Sequence, residues 1–142
     1  MTRSIRTGPL FALVLLAAIL PSARAADLTI RVDNVRTGDG QLMVALYDGA
    51  ATFLKRPARK VNVAAHAGST TLVIPDLAPG NYAFAIYHDA NGNGRMDSNM
   101  MGIPVEPFAF GRDAQGHMGP PAFDDVALAV PAAGLATHVT LR

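Results

Sequence analysis

DLAPGNYAFAIYHD, residues Asp76 to Asp89, decides the fold. Pro79-Gly80 is turn chemistry, with proline presetting φ and glycine free to bend. Past the turn, Tyr82, Phe84 and Ile86 alternate with Ala83, Ala85 and Tyr87, and His88 ends the larger face. A two-residue period belongs to a β-strand, because a helix repeats its apolar face every three or four residues. The same signal recurs on both sides. Leu28, Ile30 and Val32 alternate with polar neighbours in DLTIRVDNV, and QLMVALYD (Gln41–Asp48) is apolar on both faces, as a central strand is. Between them RTGDG (Arg36–Gly40) is a turn.

VNVAAHA (Val61–Ala67) and STTLVIP (Ser69–Pro75) read as a hairpin about Ala67-Gly68. FDDVALAV (Phe123–Val130) and LATHVTLR (Leu135–Arg142) complete the set, joined by Pro131–Gly134. Gly49–Arg59 is a loop with one helical turn. Seven short strands predict an all-β chain, a seven-stranded antiparallel β-sandwich with one long loop after the fifth strand. That loop, Asp89 to Pro121, is rich in Gly, Pro and Asn, yet it holds Met100, Met101, Ile103, Val105, Phe108 and Phe110. Such apolar content predicts a segment folded back over the strands, the methionines filling core beneath it and the two phenylalanines covering the sandwich.

The segment before the first strand has the layout of a secretory signal peptide, residues 1–25. Arg3 and Arg6 precede the apolar run Leu10–Leu20, and Ala23-Arg24-Ala25 is a small-x-small cleavage site. The run is shorter than the roughly 20 residues that span a bilayer. The expectation is an exported chain, periplasmic or extracellular, with a single domain at 26–142. Cleavage removes three arginines, so acidic residues then outnumber basic ones, and no aromatic-rich basic patch is left to bind nucleic acid. The chain has no cysteine, which excludes disulfides, thiol catalysis and cysteine-built metal sites.

IPDLAPGNYAFAIYHDANGNG, followed by MGIPVEPFAFG and GHMGPPAFDD, resembles the bacterial secreted family catalogued as domain of unknown function 2141. The resemblance runs from Leu28 to Leu141. Its most specific parts are HDANGNGRMD, the GIP-x-EP segment (Gly102–Pro107) and GPPAF (Gly119–Phe123). DLAPGNY is also similar to transthyretin-like and collagen-adhesin B-type sandwiches, which implies a corner-tyrosine role for Tyr82. The resemblance implies an exported immunoglobulin-like or transthyretin-like sandwich and carries over no catalytic residue.

Within the long loop, HDANGNGRMD (His88–Asp97) matches the start of a calcium loop, D-x-[DN]-x-[DN]-G. Asp89, Asn91 and Asn93 stand at positions one, three and five, the Arg95 carbonyl at seven and Asp97 at nine. Ca²⁺ favours six to eight such oxygens. Position twelve is Met100, so an EF-hand's closing glutamate is missing, and Glu106, Asp124 or Asp125 must supply it. Few formal charges predict a weak, structural site, with Kd about 10⁻⁴–10⁻³ M. Asn-Gly pairs also make plain turns, so a metal-free polar turn stands beside the Ca²⁺ reading.

The other functional class is an enzyme or small-ligand receptor using His88, Glu106 and His117 around the loop. No nucleophile motif accompanies them. His66 and His138 read as solvent-facing, and Lys55, Arg56, Arg59 and Lys60 as a solvated basic loop. The expected role is non-catalytic binding or structural work in the cell envelope, with an envelope protein or small ligand as partner.

Overall fold

The computed structural model describes residues 25–142, so the signal-peptide reading lies almost wholly outside the described residues. Among the described residues the protein is all-β, with eight strands: β1 (Ala26–Val35), β2 (Gln41–Tyr47), β3 (Arg59–Ala64), β4 (Gly68–Leu77), β5 (Gly80–Asp89), β6 (Phe108–Phe110), β7 (Leu128–Val130) and β8 (Leu135–Thr140). They form two sheets. One has the order β4-β1-β8; the other runs β3-β2-β5-β6, with β7 also pairing β5.

Alternation along the strands builds the core. Leu28, Ile30 and Val32 of β1 and Leu72 and Ile74 of β4 face Leu42, Val44 and Leu46 of β2 and Phe84 and Ile86 of β5, all buried in one cluster. On β1 and β5 these are the residues of the alternating face that the sequence marks, while β2, apolar on both faces, sends Leu42, Val44 and Leu46 inward. Tyr82 lies at the start of this row, and its hydroxyl donates to the Ala78 carbonyl at 2.9 Å, closing the Pro79-Gly80 corner. A second, smaller cluster covers the outer face of the β2–β5 sheet. There Phe53, on the helical turn after β2, packs edge-to-face on Tyr47 at 5.2 Å, beside Val126 and Phe123.

Four expectations need correction. The eighth strand is β6, inside the stretch taken as loop; it pairs with Ala85–Tyr87 of β5. β3 and β4 do not form a hairpin. β3 pairs β2 and β4 pairs β1, so Ala65–Ala67 carries the chain from one sheet to the other. The Thr70 hydroxyl fixes that bend, accepting the His66 N–H at 2.9 Å and donating to the His66 carbonyl at 3.2 Å. The sheets are not purely antiparallel either, because β8 runs parallel to β1. The connection before it crosses between sheets, and at Gly134 (φ +84°) a Cβ would come within 2.8 Å of the Asp27 carbonyl oxygen. Finally, the FDDV part of FDDVALAV is one helical turn, α1 (Phe123–Val126), leaving β7 only three residues. The Asp125 carboxylate accepts the Ala122 N–H at 3.2 Å, a cap that starts a helix rather than a strand.

β6 and β7 share one edge of β5, pairing near its end and its start respectively. The edge is thus covered along most of its length, and the long loop leaves the sheet where β5 ends. Among the described residues no helix is long and apolar enough to cross a membrane.

Candidate functional site

Strand alternation splits the end of β5. His88 points inward and is buried, while Asp89 points to the outer face beside Tyr87. The His88 ring meets the Asp39 carbonyl through Nε2 at 2.8 Å, and its backbone N–H donates to Pro107. Both contacts tie the end of β5 to the β1–β2 turn and to the segment leading into β6. Gly40 lies at the same junction. Its φ is +65°, and a Cβ there would fall 2.0 Å from the Asp89 carbonyl oxygen. Only glycine permits this approach.

Asp89 has no exposed surface, unusual for a carboxylate. It is satisfied by the loop that it organises: Oδ1 accepts the Asn93 N–H at 3.1 Å and Oδ2 the Gly94 N–H at 2.8 Å. Asn91 Oδ1 also accepts the Asn93 N–H at 3.0 Å, and Asn93 Oδ1 accepts the Arg95 N–H at 3.0 Å. Side chains at alternate positions thus curl the backbone toward themselves. Gly92 and Gly94 take the positive φ values this demands.

Across the curl sits Asp97. Its carboxylate accepts the Asn91 amide at 2.6 Å and the Asn93 amide at 2.9 and 3.0 Å. These two donors, then Arg95 at longer range, hold its pKa below the ordinary 3.8. The Asp97 backbone N–H donates to Glu106 Oε2 at 3.0 Å, so Glu106 closes the far side of the loop. Tyr87 registers the grouping. Burial first, then the fields of Asp89, Glu106 and Asp97, raise its phenol above 10.0.

Of the sequence-selected ligands, Asp89, Asn91, Asn93 and Asp97 therefore share one hydrogen-bonded network, with the Arg95 N–H as a member. Glu106 joins it. Asp125 is engaged at α1 instead, which removes one of the three candidates for the closing position. All the side-chain acceptors are hard oxygens, which fits Ca²⁺ better than a softer metal. Among the described residues, no three His, Asp or Glu side chains gather closely enough to hold a metal by themselves. An ion would thus rely on the asparagine oxygens and on carbonyls, and would have to displace the two amide donors from Asp97.

His88, Glu106 and His117 are not brought together. The His88 ring is buried against Asp39, Glu106 is bonded to Asp97 and His117 is exposed beyond β6, with no hydrogen bond joining any two of them. His66 and His138 are exposed, as are Lys55, Arg56 and Lys60, while Arg59 donates to the Pro75 and Asp76 carbonyls.

Asp97 also opens a small hairpin. Val105 N–H donates to the Asp97 carbonyl and Asn99 N–H to Ile103, both at 2.9 Å. Met100 and Met101 form its tip and are 105% and 78% exposed, so they do not fill core. Asn99 shapes the tip: its Oδ1 accepts the Met101 and Ile103 N–H groups at 2.9 and 3.0 Å. Phe108 and Phe110 are half-buried and meet edge-to-face at 5.8 Å, and Phe110 joins the cluster that covers the outer face. The roles of Asp39, Gly40 and Asn99 escape the sequence reading. RTGDG is legible as a turn, but nothing local says that the turn abuts the end of β5.

No curated protein and no solved structure matches the chain. A family model described as "Uncharacterized protein conserved in bacteria (DUF2141)" matches residues 30–138, which takes in both sheets and the whole loop, and the chain belongs to that family.

Proposed function

We propose that this chain is an exported, non-catalytic binding or structural module of the cell envelope, an immunoglobulin-like or transthyretin-like β-sandwich whose long loop is organised by Ca²⁺. The observation that carries the reading is the fully buried Asp89 carboxylate, which accepts two loop N–H groups and so turns Asn91, Asn93 and Asp97 toward one another. Asp89, Asn91, Asn93, the Arg95 carbonyl and Asp97 would hold the ion, with Glu106 as the closing carboxylate beside Asp97. Each asparagine Oδ1 that accepts a backbone N–H keeps a second lone pair for a cation. Bound there, the ion would neutralise carboxylates and stiffen the loop. Export is supported by the leader-like composition of residues 1–25.

The receptor or hydrolase alternative, with His88, Glu106 and His117, has less in its favour, because the buried ring of His88 faces Asp39. The test is calorimetric titration of Ca²⁺ into chelator-treated protein, with Mg²⁺ as control. One-site heat that disappears in Asp97→Ala is the expected result. Silence up to about 10 mM, past the weak extracellular range, would reduce the loop to a metal-free turn.

A further inference from the structure

Asn-Gly occurs twice in the chain, at Asn91-Gly92 and Asn93-Gly94, and both pairs lie exposed in the curl after β5. Asparagine before glycine can close on itself: the glycine nitrogen attacks the asparagine Cγ, and glycine has no Cβ to obstruct the approach. The two pairs form a matched comparison. Asn91 Oδ1 accepts the Asn93 N–H and Asn93 Oδ1 accepts the Arg95 N–H, both at 3.0 Å. The ring that each bond closes contains the following glycine nitrogen, which keeps the side chain folded toward it. Each asparagine amide donates to the Asp97 carboxylate. A Cβ built at either glycine would meet nothing within 4 Å, so neither is walled in. One bond separates the pairs. The Gly94 N–H donates to Asp89 Oδ2 at 2.8 Å, and that carboxylate is fully buried. Among the described residues no acceptor meets the Gly92 N–H.

That bond bears on reactivity twice. The Gly94 nitrogen must give up a charge-assisted hydrogen bond before it can turn on Cγ. The negative Asp89 beside it also opposes the negative charge that an attacking amide nitrogen takes on. From this difference we infer that Asn91-Gly92 is a site of spontaneous deamidation, and that Asp89 protects Asn93-Gly94 from the same reaction. The Gly92 nitrogen bonds to Asn91 Cγ and the Cγ–Nδ2 bond breaks; Nδ2 leaves as ammonia, taking up the proton that the Gly92 nitrogen loses. Water then opens the cyclic imide, at Cγ to give aspartate or at the main-chain carbonyl to give isoaspartate. Either product loses the amide that donates to Asp97 at 2.6 Å and gains a carboxylate. In the aspartate product the new charge faces Asp97, and two carboxylates so placed repel unless a proton or a cation lies between them. The modified loop therefore takes Ca²⁺ more tightly, with a carboxylate added at position three. That consequence rests on the Ca²⁺ reading above; the site of deamidation does not.

The test is a time course of the folded protein in warm, mildly alkaline buffer with chelator, each sample digested and mapped by mass spectrometry, beside a parallel sample unfolded in urea. In the folded protein Asn91 should convert at least about tenfold faster than Asn93, the factor set by the hydrogen bond that Gly94 must break. In urea, where Asp89 holds nothing, both should convert alike. An Asp89→Ala variant that still melts cooperatively should let Asn93 convert at the pace of Asn91. Equal rates at the two sites in the folded protein, or an Asn91 that stays intact while the urea sample converts, overturn the proposal. An Asn93 that stays protected in folded Asp89→Ala overturns the part given to Asp89. In calorimetry Asn91→Asp should bind Ca²⁺ about tenfold more tightly than the wild type, as added ligand charge tightens such loops. An unchanged or weaker Kd overturns the gain in Ca²⁺ affinity, and absence of heat from both proteins overturns the Ca²⁺ reading; neither result moves the deamidation site.

Discussion

Replacing Asp89 by alanine separates the two things that this carboxylate does. In the metal-free protein it accepts the Asn93 and Gly94 N–H groups at 3.1 and 2.8 Å. Hydrogen bonds to a charged partner contribute roughly 1.5–3 kcal/mol each when both ends are buried. Here the carboxylate is buried but Asn93 and Gly94 are exposed, so water can take over the orphaned donors. The net cost in chelator is then about 2 kcal/mol, or a Tm lower by about 8 °C in a domain of this size. Calcium adds a second term only to the wild type. With Kd of about 1 mM, 10 mM Ca²⁺ stabilises the native state by about 1.4 kcal/mol, from RT ln(1 + [L]/Kd). The variant, lacking the first ligand, gains none of this. Differential scanning calorimetry should show a gap between wild type and Asp89→Ala that widens from about 8 °C in chelator to roughly 13 °C in calcium. An equal gap in both solutions would refute the metal, while no gap in either would refute the buried acceptor as well.

Other tests follow from the same geometry. Asp97 has a lowered folded pKa, so the stability that it contributes is complete above the ordinary carboxylate value and is lost as pH falls through the depressed one. The side-chain amide resonances of Asn91 and Asn93 should shift together across that acid transition, and Asp97→Asn should abolish the shift. Tyr87 ionises above 10.0, from burial and then from Asp89, Glu106 and Asp97. Calcium among those carboxylates should lower its titration midpoint toward the value burial alone would set, as followed by NMR of the ring, whereas a midpoint indifferent to calcium would place the ion elsewhere. Gly40→Ala should cost roughly 2–5 kcal/mol in denaturant unfolding, since a left-handed alanine is strained and its Cβ would overlap the Asp89 carbonyl; a loss below about 1 kcal/mol would mean that the turn moves freely off β5.

What the sequence discloses and what it conceals divide along a physical line. Alternation is local, so Tyr82, Phe84 and Ile86 announce an inward face without knowledge of any partner, and all three do face the core. Sheet membership is not local. Val61–Ala67 and Ser69–Pro75 have the composition of a hairpin, but whether a chain folds back or crosses over is settled by which buried face it can cover, and here β3 and β4 end in different sheets. β6 was hidden for a related reason: three residues carry too little period to be seen, and their strand character exists only because the β5 edge is there to pair with. The helical turn at Phe123 is different. Asp125 caps it by accepting the Ala122 N–H, but alanine is a poor N-cap, so the sequence carries only half of a capping box there.

The same line runs through the loop. Asp89, Asn91, Asn93 and Asp97 were legible because their mutual bonds span no more than a few residues. The methionines misled because methionine reports only that a side chain is apolar; whether it is buried depends on where the hairpin points. Asn99 sets the shape of that hairpin, its single side-chain oxygen taking the Met101 and Ile103 N–H groups, and Met100 and Met101 stand exposed at the tip. Asn99→Ala should release the tip: with two donors freed, it should lose its fixed shape and its amides should exchange with solvent at the rate of an open loop, while the Asp89 curl stays protected. Protection lost equally from both would mean that hairpin and curl form one cooperative unit.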